Sequence, residues 1–505
     1  MRTSGVLMHI SSLPGSTGIG TLGKEAYRFV DFLKKSGQTY WQVLPLCPTS
    51  YGDSPYQSFS TFAGNPYFID FDFLCNDGLM KKNDYSRINW GENEEKIDFT
   101  KIYKNRFKVL EKAYKSFDLT NRDFVTFCNE NKYWIDDYAL YMALKNSFDG
   151  KSWNEWPVDL KTRKSDAISE AKEDVKDEIE FQKFIQYLFF KQWASLKKYA
   201  NDNGIQIIGD IPIYVAKDSA DVWANPKQFL LDEDCNPIEV AGCPPDAFSD
   251  EGQLWGNPLY NWKYIKEDDY SWWKHRIKHQ YSLCDVVRID HFRGFESFYC
   301  IPADSKTAKI GEWRKGPGID FFREIEKDLG KMNIIAEDLG FLTPAVKKML
   351  KQSKYPGMKV LQFAFDTDED NDYTLHNFTK NSVAYVGTHD NDTIIGYMTK
   401  TAPRATRKRA REYLRLSRKE GYNWGMMKAV WSSNSDTAIV TMQDLLGLGN
   451  EARMNFPSTV KDNWQWRAKP NYLSDELANK VKYYTKLYKR LPDVKRGKNN
   501  VKNSK

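Results

Sequence analysis

Long apolar runs are missing from this chain. No stretch approaches the roughly 18 residues of a membrane span, and mean hydropathy is −0.66. The start, Met1-Arg-Thr-Ser-Gly-Val-Leu-Met-His, lacks the apolar segment of a signal peptide. A cytoplasmic protein with no membrane partner is expected. Cysteine is thinly spread, with seven residues at 47, 75, 128, 235, 243, 284 and 300. The number is odd and no CxxC pair occurs, so a disulfide framework is not expected and thiols in a reducing cytoplasm fit best. Histidine is scarcer, six scattered residues with no HExxH, so neither a metal site nor a cofactor is expected. No G-x-S-x-G serine elbow occurs. The Gly-rich stretch 15–23 contains Gly18-Ile-Gly20, which alone is a weak signal for a dinucleotide fold. A net charge of +6 over 505 residues leaves no footprint for nucleic acid.

Aromatic residues, in contrast, make up 15% of the chain, with 16 Trp and 29 Tyr. Most of these rings must be core, but flat aromatic and hydroxyl-bearing surfaces also suit sugar rings. Short apolar runs of strand type recur along the chain, at 5–11, 40–45, 205–208, 285–290, 333–336, 358–365, 382–386 and 438–442. Helical periodicities separate them, such as Ala26, Phe29, Val30 and Leu33, or Phe181, Phe184, Ile185, Leu188, Trp193 and Leu196. Nearly every strand ends in an acid, a His or an Arg. That pattern predicts a TIM (β/α)8 barrel, whose active sites occupy the C-terminal rim. Residues 1–72 supply the first strands and a cleft loop, and 73–177 read as a mostly helical insertion. Residues 178–470 complete the barrel, with a long loop at 218–260, and 471–505 form a C-terminal helix and a basic tail.

The densest chemistry lies at 285–295, Asp-Val-Val-Arg-Ile-Asp-His-Phe-Arg-Gly-Phe. Val286, Val287 and Ile289 read as a buried strand. Arg288 lies two residues before Asp290, so both leave one strand face together. An Arg beside an Asp keeps it ionised, as a glycosidase nucleophile must be. A structural ion pair explains the same pattern equally well. Two further acids end strands, Glu337 after Asn-Ile-Ile-Ala and Asp390 after Gly387-Thr-His389. An apolar strand and the neighbouring Asp338 would raise the pKa of Glu337, as a general acid requires. Adjacent strand residues face opposite ways, so the contribution of Asp338 stays open.

Val287-Arg288-Ile-Asp290-His291-Phe-Arg-Gly resembles the nucleophile motif of the α-amylase clan. Gly209-Asp210-Ile-Pro-Ile and Gly387-Thr-His389-Asp390-Asn391 resemble two more of its motifs. Ile335-Ala336-Glu337-Asp338-Leu-Gly, Ser11-Ser-Leu-Pro, Asp53-Ser-Pro-Tyr-Gln, Gly64-Asn-Pro-Tyr, Pro244-Pro-Asp246 and Trp255-Gly-Asn-Pro are similar to motifs of glycoside hydrolase family 77, the 4-α-glucanotransferases or amylomaltases. The resemblance runs from about His9 to about Arg467. It implies retaining transfer between α-1,4-glucans, with Asp290 as nucleophile, Glu337 as general acid/base and Asp390 as ring-distorting stabiliser. It further implies that Arg288 orients Asp290, and that Asp210, His389 and Asn391 contact the substrate. Trp255 and Asp246 would belong to a flexible loop over the cleft, and Tyr51 to an acceptor-side platform. An α-amylase-type hydrolase and a non-catalytic glucan-binding protein are the rival readings. Retention of all three acids argues against the second.

Overall fold

The computed structural model describes residues 2–245, 249–340, 342–367 and 369–492. Eight short strands form its centre: β1 (Thr3–Leu7), β2 (Tyr40–Gln42), β3 (Gln206–Ile211), β4 (Val286–Ile289), β5 (Ile334–Ala336), β6 (Gly357–Val360), β7 (Ser382–Tyr385) and β8 (Thr437–Thr441). Each pairs in parallel with the next, and β8 returns to β1 to close the barrel. Parallel strands are covered on both faces, which explains the unbroken Ile and Val runs in place of an alternating pattern. Ile207, Ile208, Val287, Ile289, Ile334, Ile335, Val383 and Ile439 are all buried.

The helices between strands lay apolar stripes on this barrel. Helix Lys24–Lys35 buries Ala26, Phe29, Val30 and Leu33. Helix Lys176–Asp202 runs for 27 residues and buries Phe181, Phe184, Ile185, Leu188, Trp193 and Leu196. It ends where Gly204 takes φ +78°, a left-handed conformation that glycine adopts without a Cβ penalty. Further helices occupy the stretch before it, among them Phe99–Tyr114, Arg122–Glu130, Lys132–Ser147 and Ser165–Asp174. Ring contacts such as Tyr114–Phe184 at 5.4 Å and Trp134–Phe190 at 5.8 Å dock this stretch on the long helix.

The long loop expected at 218–260 is largely regular structure. It holds helix Ala220–Ala224 and strands Glu239–Cys243 and Gln253–Pro258. These two strands join Ser297–Pro302 and Glu312–Lys315 in a four-stranded antiparallel sheet. Gly, polar or charged residues interrupt three of the four, while Ser297–Pro302 carries the apolar run Phe298-Tyr-Cys-Ile301. Trp255 therefore stands on a sheet strand and not on an irregular loop, while Asp246 lies outside the described residues.

The C-terminal helix Asp475–Leu487 is tied to the bottom of the barrel by Arg490. This side chain is fully buried. Its Nε donates to Trp431 O at 2.7 Å, Nη1 to Thr3 O at 2.9 Å and Asp436 O at 3.3 Å, and Nη2 to Ser433 O at 3.2 Å and Ser435 O at 2.9 Å. Carbonyl dipoles thus replace water around the cation, although burial still pulls its pKa down to about 9. Removing it strands several carbonyls in a dry seam, each at roughly 1 kcal/mol or more. Arg490→Met is expected to lower stability by about 3 kcal/mol or more, read as a reduced thermal midpoint by circular dichroism. An unchanged midpoint would show that the seam takes up water without penalty.

Candidate active site

Strand register decides which side chains meet at the mouth of the barrel. Asp210 on β3 sits directly opposite Arg288 on β4. Ile289 sits opposite Ala336, so the next residues, Asp290 and Glu337, leave neighbouring strand ends side by side. Adjacent strands lie roughly 4.8 Å apart, close to the separation of about 5 to 5.5 Å that retaining glycosidases use. Backbone bonds fix both positions: Asp290 N–H donates to Ile211 O at 3.0 Å, and Glu337 N–H donates to Ile289 O at 3.0 Å.

Arg288 is buried and answers two carboxylates at once. Nη1 donates to both oxygens of Asp210 at 2.8 and 2.7 Å, and Nη2 lies 2.8 Å from Asp290 Oδ1. Its Nε points at Met358 Sδ, 3.4 Å away. One cation between two acids leaves a surplus negative charge, and the Asp290 side chain remains 30% exposed to the cleft. Glu337 is 9% exposed and touches no cation; its oxygens accept the backbone N–H groups of His291 and Leu339, each at 2.7 Å. Burial pushes both carboxyls above the ordinary range, and the nearby negative charges add to the push on Asp290. Two adjacent carboxylates titrate as a pair. Arg288 pulls both carboxyls down without cancelling the effect of burial, so the expectation that it keeps Asp290 ionised is not met by the pair of charges alone. Asp338 faces the other way, its Oδ1 accepting Met358 N–H at 2.6 Å.

The third acid lies across the mouth, beyond the end of β7. Asp390 Oδ2 is 3.3 Å from His389 Nε2. Burial depresses the pKa of His389, which keeps the ring neutral near pH 7. The Tyr56 ring stacks on His389 with centroids 5.1 Å apart and planes at 11°, and its hydroxyl donates to Asp210 Oδ2 at 2.7 Å. An unbroken chain of contacts therefore joins Asp290, Arg288, Asp210, Tyr56, His389 and Asp390. Tyr56 was legible only as one aromatic in a long loop; nothing in its sequence neighbourhood points to Asp210, 154 residues away.

Asp390 is also held from behind by a segment near the end of the chain. Asn455 Nδ2 donates to Asp390 Oδ1 at 2.7 Å, Asn455 N–H donates to His389 O at 3.1 Å, and Arg453 Nη2 donates to Asp390 O at 2.5 Å. Arg453 also pairs with Asp392. Sequence reasoning missed Arg453 and Asn455 because they belong to an irregular stretch without periodicity. Among the other anticipated residues, Trp255 sets its ring edge-to-face on His291 at 4.8 Å. The side-chain oxygen of Asn391 turns inward, accepting Thr388 N–H at 2.9 Å. Tyr51 lies in the short turn Tyr51–Asp53.

A closed parallel barrel with paired carboxyls on neighbouring strand ends defines a class, the barrel enzymes that work on glycosidic bonds. The family model described as 4-alpha-glucanotransferase, glycoside hydrolase family 77, matches residues 8–473. A 4-alpha-glucanotransferase of Clostridium butyricum is 53% identical over 485 residues, 96% of this chain and 100% of that one. The Thermus thermophilus 4-alpha-glucanotransferase is 43% identical, covering 97% and 99%. Among solved structures, amylomaltase from Streptococcus agalactiae in complex with acarbose superposes with a TM-score of 0.95 at 44% identity, over 97% of this chain and 100% of that one. The chain belongs to glycoside hydrolase family 77, the 4-α-glucanotransferases.

Two outcomes follow from this geometry. The pKa of Glu337 is raised in the folded protein, so its proton is fully present at acid pH and is lost only as pH rises through the raised value. The alkaline limb of kcat/KM against pH should therefore lie well above the roughly 4.3 of a free glutamate; a limb at the free value would remove the assignment. Asn455→Ala releases one oxygen of Asp390, and a charged-group hydrogen bond is worth about 1.5 to 3 kcal/mol. Its kcat should fall roughly tenfold to a hundredfold with an unchanged thermal melt, and an unchanged kcat would show that Asn455 is dispensable for Asp390.

Proposed function

We propose that the chain moves α-1,4-glucan segments from a donor maltooligosaccharide or starch-type glucan to the 4-hydroxyl of an acceptor sugar, by double displacement at Asp290. The observation that carries this reading is the unequal surroundings of the two adjacent carboxyls, a guanidinium against Asp290 and none against Glu337. In the first step an Asp290 oxygen bonds to the anomeric carbon. The glycosidic C–O bond breaks, and Glu337 gives its proton to the departing oxygen. A β-glucosyl ester on Asp290 results. The acceptor hydroxyl then attacks the same carbon and yields its proton to Glu337, and the ester bond breaks to restore the Asp290 carboxylate. Two inversions retain the α configuration.

The remaining groups act on the sugar and on each other. Asp390, with His389 and Asn455 behind it, presents a carboxylate to the ring hydroxyls, where it strengthens as the ring flattens. Asp210 draws on half of the Arg288 charge and so sets how much is left for Asp290. Sugar is chosen over water where the cleft excludes water and offers acceptor subsites. The aromatic loop at 48–67, whose Gln57 Nε2 donates to Asn257 Oδ1 of the antiparallel sheet at 3.2 Å, suits that task. The scattered cysteines are in keeping with work in the cytoplasm.

Replacement of the nucleophile removes the ester without changing side-chain volume. Asp290→Asn should cut transfer by at least about a thousandfold while circular dichroism and the thermal melt stay close to the parent. Substantial activity in that variant would end the assignment. Pure enzyme with maltotriose should give a ladder of longer glucans plus glucose. Exclusive shortening to maltose and glucose would point to a hydrolase on the same residues.

A further inference from the structure

The antiparallel sheet beside the cleft has two unlike faces. Ala241, Phe298 and Cys300 turn toward the barrel and belong to its core. Val240, Tyr299 and Ile301 turn away and form a small cluster of their own with Ala308. Directly opposed residues of paired strands share a face. The register Gly242 to Leu254, Gly242 to Tyr299 and Tyr299 to Trp313 therefore draws one row across the outward face. Ile238, two residues before Val240, falls on the same side by alternation. This row carries apolar surface in water: Trp313 and Leu254 are each 39% exposed and Ile238 is 55% exposed.

The patch is continuous with the catalytic turn. Arg293 lies three residues after Asp290, and its guanidinium sits over the Trp313 ring at 3.8 Å from the centroid. Tyr299 abuts the same indole at 5.1 Å with planes at 54°. The guanidinium covers one face of the indole and fixes the ring's orientation, so the exposed area belongs to the opposite face and edge. Polar groups flank the ring: Arg293 Nη2 donates to Ser297 Oγ at 3.1 Å, and Ser297 Oγ donates to Glu296 Oε2 at 2.7 Å. A fixed flat ring with hydroxyl-binding groups at its edge suits the C–H face of a pyranose.

We propose that Trp313, backed by Arg293, is a remote subsite for an α-1,4-glucan chain. It would hold glucose units beyond the leaving-group or acceptor position, on the side of the cleft where Glu337 accepts the His291 N–H. The occupant is a linear glucan, not a protein, because the patch is tied to the turn carrying Asp290 and places one preset ring beside it. Leu254 and Ile238 extend the apolar strip for longer chains. This inference rests on the glucanotransferase reading. It separates from that reading by substrate length, since a subsite at Trp313 matters only to chains long enough to reach it.

The test compares Trp313→Ala, Trp313→Leu and Trp313→Tyr with the parent enzyme, using maltotriose and maltoheptaose as separate substrates. Leu keeps an apolar cover over Arg293 if Ala fails to fold. The expected result is a KM for maltoheptaose raised about fivefold or more in the Ala and Leu variants, with kcat and the maltotriose KM unchanged, and recovery in the Tyr variant. Binding of maltoheptaose to the Asp290→Asn protein should weaken by the same factor when Trp313→Leu is added, read by calorimetry. Equal losses on both substrates, or no loss on either, would overturn the subsite. A parent enzyme that fails to disproportionate maltotriose would instead sink the functional reading itself.

Discussion

Everything at the mouth of this barrel depends on one buried guanidinium. Arg288 donates to both oxygens of Asp210 and still reaches Asp290 at 2.8 Å. A carboxylate placed in such a site without that cation would face a desolvation penalty of several kcal/mol and take up a proton instead. Two carboxylates share a single positive charge, so the site as a whole holds surplus negative charge. Glu337, adjacent on the next strand and with no ion pair among the described residues, is where we propose that a proton relieves that surplus. On that proposal, the acid/base asymmetry that double displacement needs follows from where one Arg sits in the β3–β4 register.

The barrel makes this placement rigid. The backbones of Asp210, Arg288, Asp290 and Glu337 are fixed by pairing along the strands or just past their ends. His389 and Asp390 lie beyond β7 and need other support. The Tyr56 ring and the clamp of Arg453 and Asn455 provide it, from opposite ends of the sequence. Strand ends thus carry the proposed nucleophile and the proposed acid/base, and loops braced over long range carry the acid proposed to shape the ring.

The sequence disclosed the barrel because parallel strands buried on both faces appear as unbroken Ile and Val runs, each ending abruptly in charge. Asp290 and Glu337 stood out for that reason, and Arg288 because a spacing of two residues leaves one strand face. Tyr56, Arg453 and Asn455 stayed hidden, since their partners lie 154, 63 and 65 residues away and no local pattern encodes such pairs. The two antiparallel strands within 218–260 read as loop because Gly and polar residues break their pattern, Glu-Val-Ala-Gly-Cys and Gln-Leu-Trp-Gly-Asn-Pro. Arg490 was passed over as part of a basic tail. A cation surrounded by carbonyls, with no carboxylate in contact, leaves no trace in the charge pattern.

The most direct test of the central claim is the location of the shared proton. Infrared difference spectra near neutral pH, parent minus variant, should show a protonated carboxyl band lost in Glu337→Gln and retained in Asp290→Asn. Loss of that band in Asp290→Asn with retention in Glu337→Gln would place the proton on the residue beside Arg288 and contradict the account.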